Sequence, residues 1–213
     1  MFFEYGKKET DYLKDKDKRL GEVIEIIGPV ERNVESDLFA CLVNSIVGQQ
    51  ISTAAQVTIW GRINAALGRV TPKTVCDAGI ERLQQQGISF RKAEYIKELA
   101  DKVCGGELDL DAVSVKSDGE IIAELSALRG IGVWTAEMML TFCLQRPDVL
   151  SYGDLAIHRG MRMLYHHRNV DRKLFEKYRR RYSPYGSVAS LYLWEIAGGS
   201  VDGMKDYAPA KKK

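Results

Sequence analysis

The segment Leu125-Ser126-Ala127-Leu128-Arg129-Gly130-Ile131-Gly132-Val133-Trp134-Thr135-Ala136 decides the fold. It reads as helix, then a Leu-x-Gly-Ile-Gly turn, then helix again. Glycine lets a backbone take positive φ and sets no side chain in front of the amides. The N–H groups of the turn and of the following helix N-terminus then point outward together. Such a nest binds an anion, for which a DNA phosphate is the natural candidate. Gly-x-Gly turns also join ordinary antiparallel helices, so the turn alone leaves both readings open.

Outward from the turn, apolar residues recur at helical spacing in almost every segment, and no short run alternates with period two. The fold class is therefore all-α. On the N-terminal side the pattern predicts a helix over 17–27, stopped at Gly28-Pro29, and a second one capped by Ser36 with Leu38, Phe39, Leu42, Val43 and Ile46 inward. After a break at Gly48-Gln49-Gln50, a third helix carries Val57, Trp60, Ile63 and Leu67. Thr71-Pro72 has N-cap and N1 chemistry, Gly87 reads as a stop, and Ser89 opens a helix with Ile96, Leu99 and Val103 inward. Helices over 118–128 and 133–144 flank the turn, and two more, over 171–182 and 187–197, complete the set. Asp154 stands before Leu155-Ala156-Ile157-His158-Arg159 and suits a helix N-cap.

Composition bounds the rest. With 213 residues, 45% of them hydrophobic, the chain can bury a real core. A net charge of +2 is only mildly basic, so any DNA-binding charge must be concentrated locally. The cysteines, Cys41, Cys76, Cys104 and Cys143, show no CxxC and no spacing for zinc or an iron–sulfur cluster; reduced thiols are expected. No leader-like or membrane-spanning apolar run occurs, which predicts a soluble protein, cytoplasmic and nucleoid-associated in a prokaryote or nuclear in a eukaryote.

Taken together, Ile46-Val47-Gly48-Gln49-Gln50-Ile51-Ser52, the glycine turn with Trp134-Thr135-Ala136, Gly153-Asp154-Leu155, and Tyr192-Leu193-Trp194 resemble the helix–hairpin–helix, Gly/Pro-Asp superfamily of base-excision DNA glycosylases. Within it they are most similar to the 3-methyladenine DNA glycosylase II, alkylation-repair, branch. Arg129 stands where that pattern usually has proline, and no proline precedes Asp154. The resemblance implies two helical lobes with a DNA-binding cleft between them. One is a central lobe over 36–135 ending in the hairpin, the other combines 1–35 with 136–207, and a flexible basic tail occupies 208–213.

The resemblance also implies the roles. Asp154 matches the family's catalytic aspartate, which stabilises the cationic sugar and handles the attacking water. Gln50 would fill the gap left by a flipped base. Trp134 and Trp194 match aromatic positions of the base pocket, and Met138 matches a pocket wall. Gly130, Gly132 and Thr135 belong to the DNA-binding hairpin. Arg159, Arg162, Lys173 and Arg179 to Arg181 are candidate phosphate contacts, although charged helix faces are usually just solvated. Bifunctional relatives carry a lysine where Trp134 stands, so a water-using, monofunctional enzyme without lyase activity is expected. No cysteine follows Cys143, so no iron–sulfur cluster is expected and no cofactor is required; the carbonyls of Ser126, Leu128 and Ile131 match a monovalent-cation position of some relatives. His158, His166 and His167 have no metal-site spacing. The expected partner is duplex DNA with damaged bases, with no membrane partner and a monomeric state. Two alternatives stay open: a glycosylase for oxidised, deaminated or mismatched bases, and a non-catalytic hairpin DNA-binding protein.

Overall fold

The computed structural model describes residues 1–209; the lysines at 211–213 of the expected basic tail lie outside the described residues. Among the described residues there are twelve helices and no strand. They are α1 (Lys7–Lys16), α2 (Lys18–Ile27), α3 (Leu38–Gly48), α4 (Thr53–Leu67), α5 (Pro72–Gln84), α6 (Phe90–Cys104), α7 (Leu110–Ser114), α8 (Asp118–Ser126), α9 (Val133–Phe142), α10 (Leu155–Tyr165), α11 (Arg172–Tyr182) and α12 (Gly186–Gly198). The chain is all-helical, as its apolar spacing requires. No helix among the described residues is long and apolar enough to cross a membrane.

Short polar side chains begin most helices. Asp17, Ser52, Thr71, Ser89, Ser117 and Asp171 each accept an amide of the first turn, an arrangement that contributes about 1 kcal/mol per helix. At α3 the cap is Asp37, which accepts from Ala40 N at 3.1 Å, and not the expected Ser36. Asp37 wins because α3 starts one residue later, at Leu38. In α4, Val57 is 67% exposed and Ile63 alone is buried, so the expected inward stripe is narrower than the spacing suggested. Two helices were not legible. Leu13 is the one buried residue of the highly charged α1, and α7 is a single turn.

The chain divides into two compact units, one formed by Met1–Val34 with the residues from Gln145 onward, the other by Glu35–Leu144. The boundary falls at Leu144 rather than the expected 135, because α9 runs uninterrupted to Phe142. The first unit holds α1, α2 and α10 to α12. Its centre is α12, buried on nearly every face from Gly186 to Leu193. Helix α10 crosses it at Gly160, where an added Cβ would lie 2.3 Å from the Leu193 carbonyl oxygen; only glycine permits that approach. Buried Asp17 accepts hydrogen bonds from Tyr165 and Arg181, closing α2 onto α10 and α11. In the second unit α3 and α9 supply the most buried helices, with Leu42, Val43, Ile46 and Val47 on one and Ala136, Met139 and Leu140 on the other.

Candidate functional site

In the second unit the hairpin joins α8 to α9. Gly130 has φ +84, and a Cβ there would meet Tyr95 Cδ2 at 2.4 Å, so conformation and packing both demand glycine. Gly132 differs from expectation: its φ is −97 and nothing lies where a Cβ would be. It acts instead as the N-cap of α9, to which it contributes no side-chain cap hydrogen bond. Arg129 braces the turn from outside, donating to Glu98 Oε2 at 2.9 Å with its guanidinium 5.0 Å from the Tyr95 ring centre.

Helix α9 turns from surface to core within one turn. Val133 and Trp134 are 55% and 48% exposed, whereas Thr135 and Ala136 are buried. Met138, expected in a pocket wall, is buried at 8% exposure among the core residues of α9. The Gln49-Gln50 turn lies between α3 and α4, where Gln50 is exposed and adopts φ +58, an uncommon conformation for a residue with a Cβ. Gln49 reaches from it to the hairpin, its Nε2 donating to the Gly130 carbonyl at 2.6 Å. Gln50, Trp134 and Thr135 line one hollow of about 500 Å³ together with Ser45, Gly48 and Gln56. Its lining carries no formal charge.

In the first unit Asp154 is the N-cap of α10. It is buried, and its Oδ1 accepts from Ala156 N at 2.8 Å and Ile157 N at 2.9 Å. These bonds fix the carboxylate's position and orientation. The preceding loop is clamped from behind. His158, one turn into α10, bonds the Tyr152 carbonyl at 2.7 Å through Nε2, which must carry the proton to do so. The Tyr152 ring meets those of His158 and Phe175 edge-on, with centres 4.9 and 5.1 Å away, and Arg172 lies 4.7 Å above it. Leu155, directly after Asp154, is 85% exposed. Trp194 is half-buried on α12.

Several expected phosphate contacts are already engaged. Arg162 makes a two-pronged pair with Asp206 at 2.7 Å on each arm, Arg179 pairs with Glu176, and Arg181 with Asp17. The carbonyls that the resemblance links to a monovalent cation are those of Ser126, Leu128 and Ile131. That of Leu128 accepts one hydrogen bond, from Ile131 N at 3.1 Å, which leaves it a second lone pair.

Gln49, His158 and Leu155 carry geometry that motif reading did not assign. The partners of Gln49 and His158 are carbonyl oxygens, which leave no mark in residue types. The exposed leucine had a visible sign, an apolar residue at the first position of a helix beside a candidate carboxylate.

Residues 43–184, which include both the hairpin and Asp154, match the family described as HhH-GPD superfamily base excision DNA repair protein. The chain belongs to this superfamily. Among solved structures, this HhH-GPD protein is similar to a DNA-3-methyladenine glycosidase from Bacillus halodurans, with 36% identity, 97% of each chain covered and a TM-score of 0.84. It is also similar to the 3-methyladenine DNA glycosylase of Schizosaccharomyces pombe in complex with abasic DNA, with 26% identity, coverage of 93% of this chain and 100% of that one, and a TM-score of 0.80. In sequence it is 28% identical over 198 residues to DNA-3-methyladenine glycosylase 1 of the same yeast, covering 89% of this chain and 87% of the relative.

Proposed function

We propose that this protein is a monofunctional DNA glycosylase that excises alkylated purines from duplex DNA by base flipping. The observation that carries the reading is the end-to-end likeness to a DNA-3-methyladenine glycosidase, 97% of each chain at 36% identity. A helical HhH-GPD scaffold alone would serve other lesions equally well.

The chemistry follows from residue types and their settings. Cleaving the N-glycosidic bond leaves an oxocarbenium-like sugar, which a fixed carboxylate stabilises. Asp154 is that carboxylate: a buried helix cap cannot swing away as charge develops, and it can take the proton of the water that adds to the anomeric carbon. A purine methylated at N3 or N7 already carries positive charge, so it departs with the bonding electron pair as a neutral base and needs no acid. The exposed indole of Trp134 attracts a cationic base by about 0.5–2 kcal/mol, and Trp194 is assigned the same task. Gln50 fills the vacated stack, while Gly130, Gly132 and Thr135 form the hairpin that takes a DNA phosphate. A monovalent cation on the carbonyls of Ser126, Leu128 and Ile131 would add positive charge beside that phosphate. With Trp134 at the position of the bifunctional lysine, water is the nucleophile. No redox cluster enters the reaction, and a monomer acting where DNA is stored suffices.

The test is incubation of methylated duplex DNA with the protein, followed by borohydride. Release of 3-methyladenine and 7-methylguanine without a trapped covalent complex is expected. A trapped complex would identify a lysine nucleophile and overturn the monofunctional reading.

A further inference from the structure

The first turn of α6 carries a lysine whose partners are unusual. Lys92 Nζ donates to the Val47 carbonyl at 2.9 Å and to the Gln49 carbonyl at 2.6 Å. These belong to the last turn and C-cap of α3, where carbonyls lack an intrahelical partner and the helix dipole presents its negative end. Burial pushes the lysine's pKa down, in keeping with an ammonium drawn off the surface. One turn further along the same helix, the Tyr95 ring packs on Gly130 of the hairpin. Gln49 completes the link with its 2.6 Å bond to the Gly130 carbonyl. Helix α6 thus braces both the Gln49-Gln50 turn and the hairpin, and Gln50 stands next in sequence in its left-handed conformation.

We propose that Lys92 is a positioning residue that pins the Gln49-Gln50 turn to the hairpin, so that Gln50 enters the base stack at a fixed distance from the phosphate gripped by Gly130 and Gly132. The proposal rests on the wedge role of Gln50. A phosphate grip and a wedge act on one nucleotide step only if the spacing between them is rigid, because a flexible turn would spend its binding energy on ordering. The two hydrogen bonds from Lys92 and the one from Gln49 supply that rigidity without touching DNA themselves.

A double-mutant cycle tests this by a readout independent of base release. The probe is a duplex with a tetrahydrofuran abasic analogue beside 2-aminopurine, whose fluorescence rises when the wedge unstacks it. At saturating protein, Lys92→Met and Gln50→Ala each lose about half or more of the rise, and the double variant loses no more than Gln50→Ala alone, as expected of residues acting through one turn. If Lys92→Met lowers thermal stability below the assay temperature, Gln49→Ala carries the same expectation, since it removes only the link to Gly130. A full rise in Lys92→Met, or a double variant that falls below Gln50→Ala by the factor Lys92→Met shows alone, overturns the proposal. A full rise in Gln50→Ala removes the wedge and the proposal with it. Loss of base release by the wild type with the cycle intact overturns the glycosylase reading and leaves the role of Lys92 standing.

Discussion

The Oδ1 atom of Asp154 accepts the Ile157 amide at 2.9 Å, so the residue assigned to catalysis is also the cap of the helix that follows it. The two duties separate by substitution. Asparagine caps as well as aspartate, whereas alanine does not. Asp154→Asn is therefore expected to melt within a degree or two of wild type, while Asp154→Ala loses about 1 kcal/mol of stability. Thermal denaturation of the two variants checks this.

Trp134 is nearly half exposed in the first turn of α9, so its removal leaves the core intact. Trp134→Ala is expected to cost about 1–2 kcal/mol, because half of the indole is covered. It should lower the preference for cationic over neutral bases by about 2- to 30-fold, the equivalent of 0.5–2 kcal/mol of cation–π attraction. Competition between 7-methylguanine and hypoxanthine excision measures it.

Met138 is the contrary case. It is buried in the core of its helix, and Met138→Ala is expected to cost about 2–5 kcal/mol through the cavity it leaves. Met138→Leu conserves volume and should stay within about 1.5 kcal/mol of wild type. A change of base preference in the folded leucine variant, read from relative excision rates, would mark Met138 as a pocket residue.

Gly160 allows α10 to touch the backbone of α12 at Leu193. Gly160→Ala puts a methyl against a carbonyl that cannot rotate away, and a loss of about 1–3 kcal/mol is expected, measurable in urea. A neutral outcome would mean that the helices slide apart freely.

Asp206 ties the segment after α12 to Arg162, whose hydrogen bonds hold the Asp206 carboxyl below its ordinary pKa near 3.8. A depressed folded-state pKa makes the tie's contribution complete above that ordinary value. It is lost as pH falls through the lower folded-state one. Removing the tie from its other side leaves the scissile bond unchanged, so cleavage after Lys205 by trypsin at neutral pH should accelerate in Arg162→Gln.

Helix class was legible because a 3.6-residue apolar period survives almost everywhere, and caps such as Thr71-Pro72 and Ser89 named their own helix starts. The misreadings have local causes. Ser36 and Asp37 are both good caps, and only packing of Leu38 chooses between them. Gly132 looked like a second left-handed glycine, although Gly130 alone needs that conformation. At the candidate site, Asp154, Trp134 and Gln50 are named through the resemblance to the glycosylase superfamily. The supports, Lys92 and His158, are invisible to motif reading because each acts on a main-chain carbonyl.

The central claim is that Asp154 performs the chemistry of an alkylpurine glycosylase. The most direct test is single-turnover release of 7-methylguanine from methylated duplex by wild type and Asp154→Asn, with abasic-DNA affinity measured in parallel. The account predicts release by wild type, a loss of about two to four orders of magnitude in the folded variant, and retained binding. Equal release by both proteins, or none by either on intact binding, would contradict it.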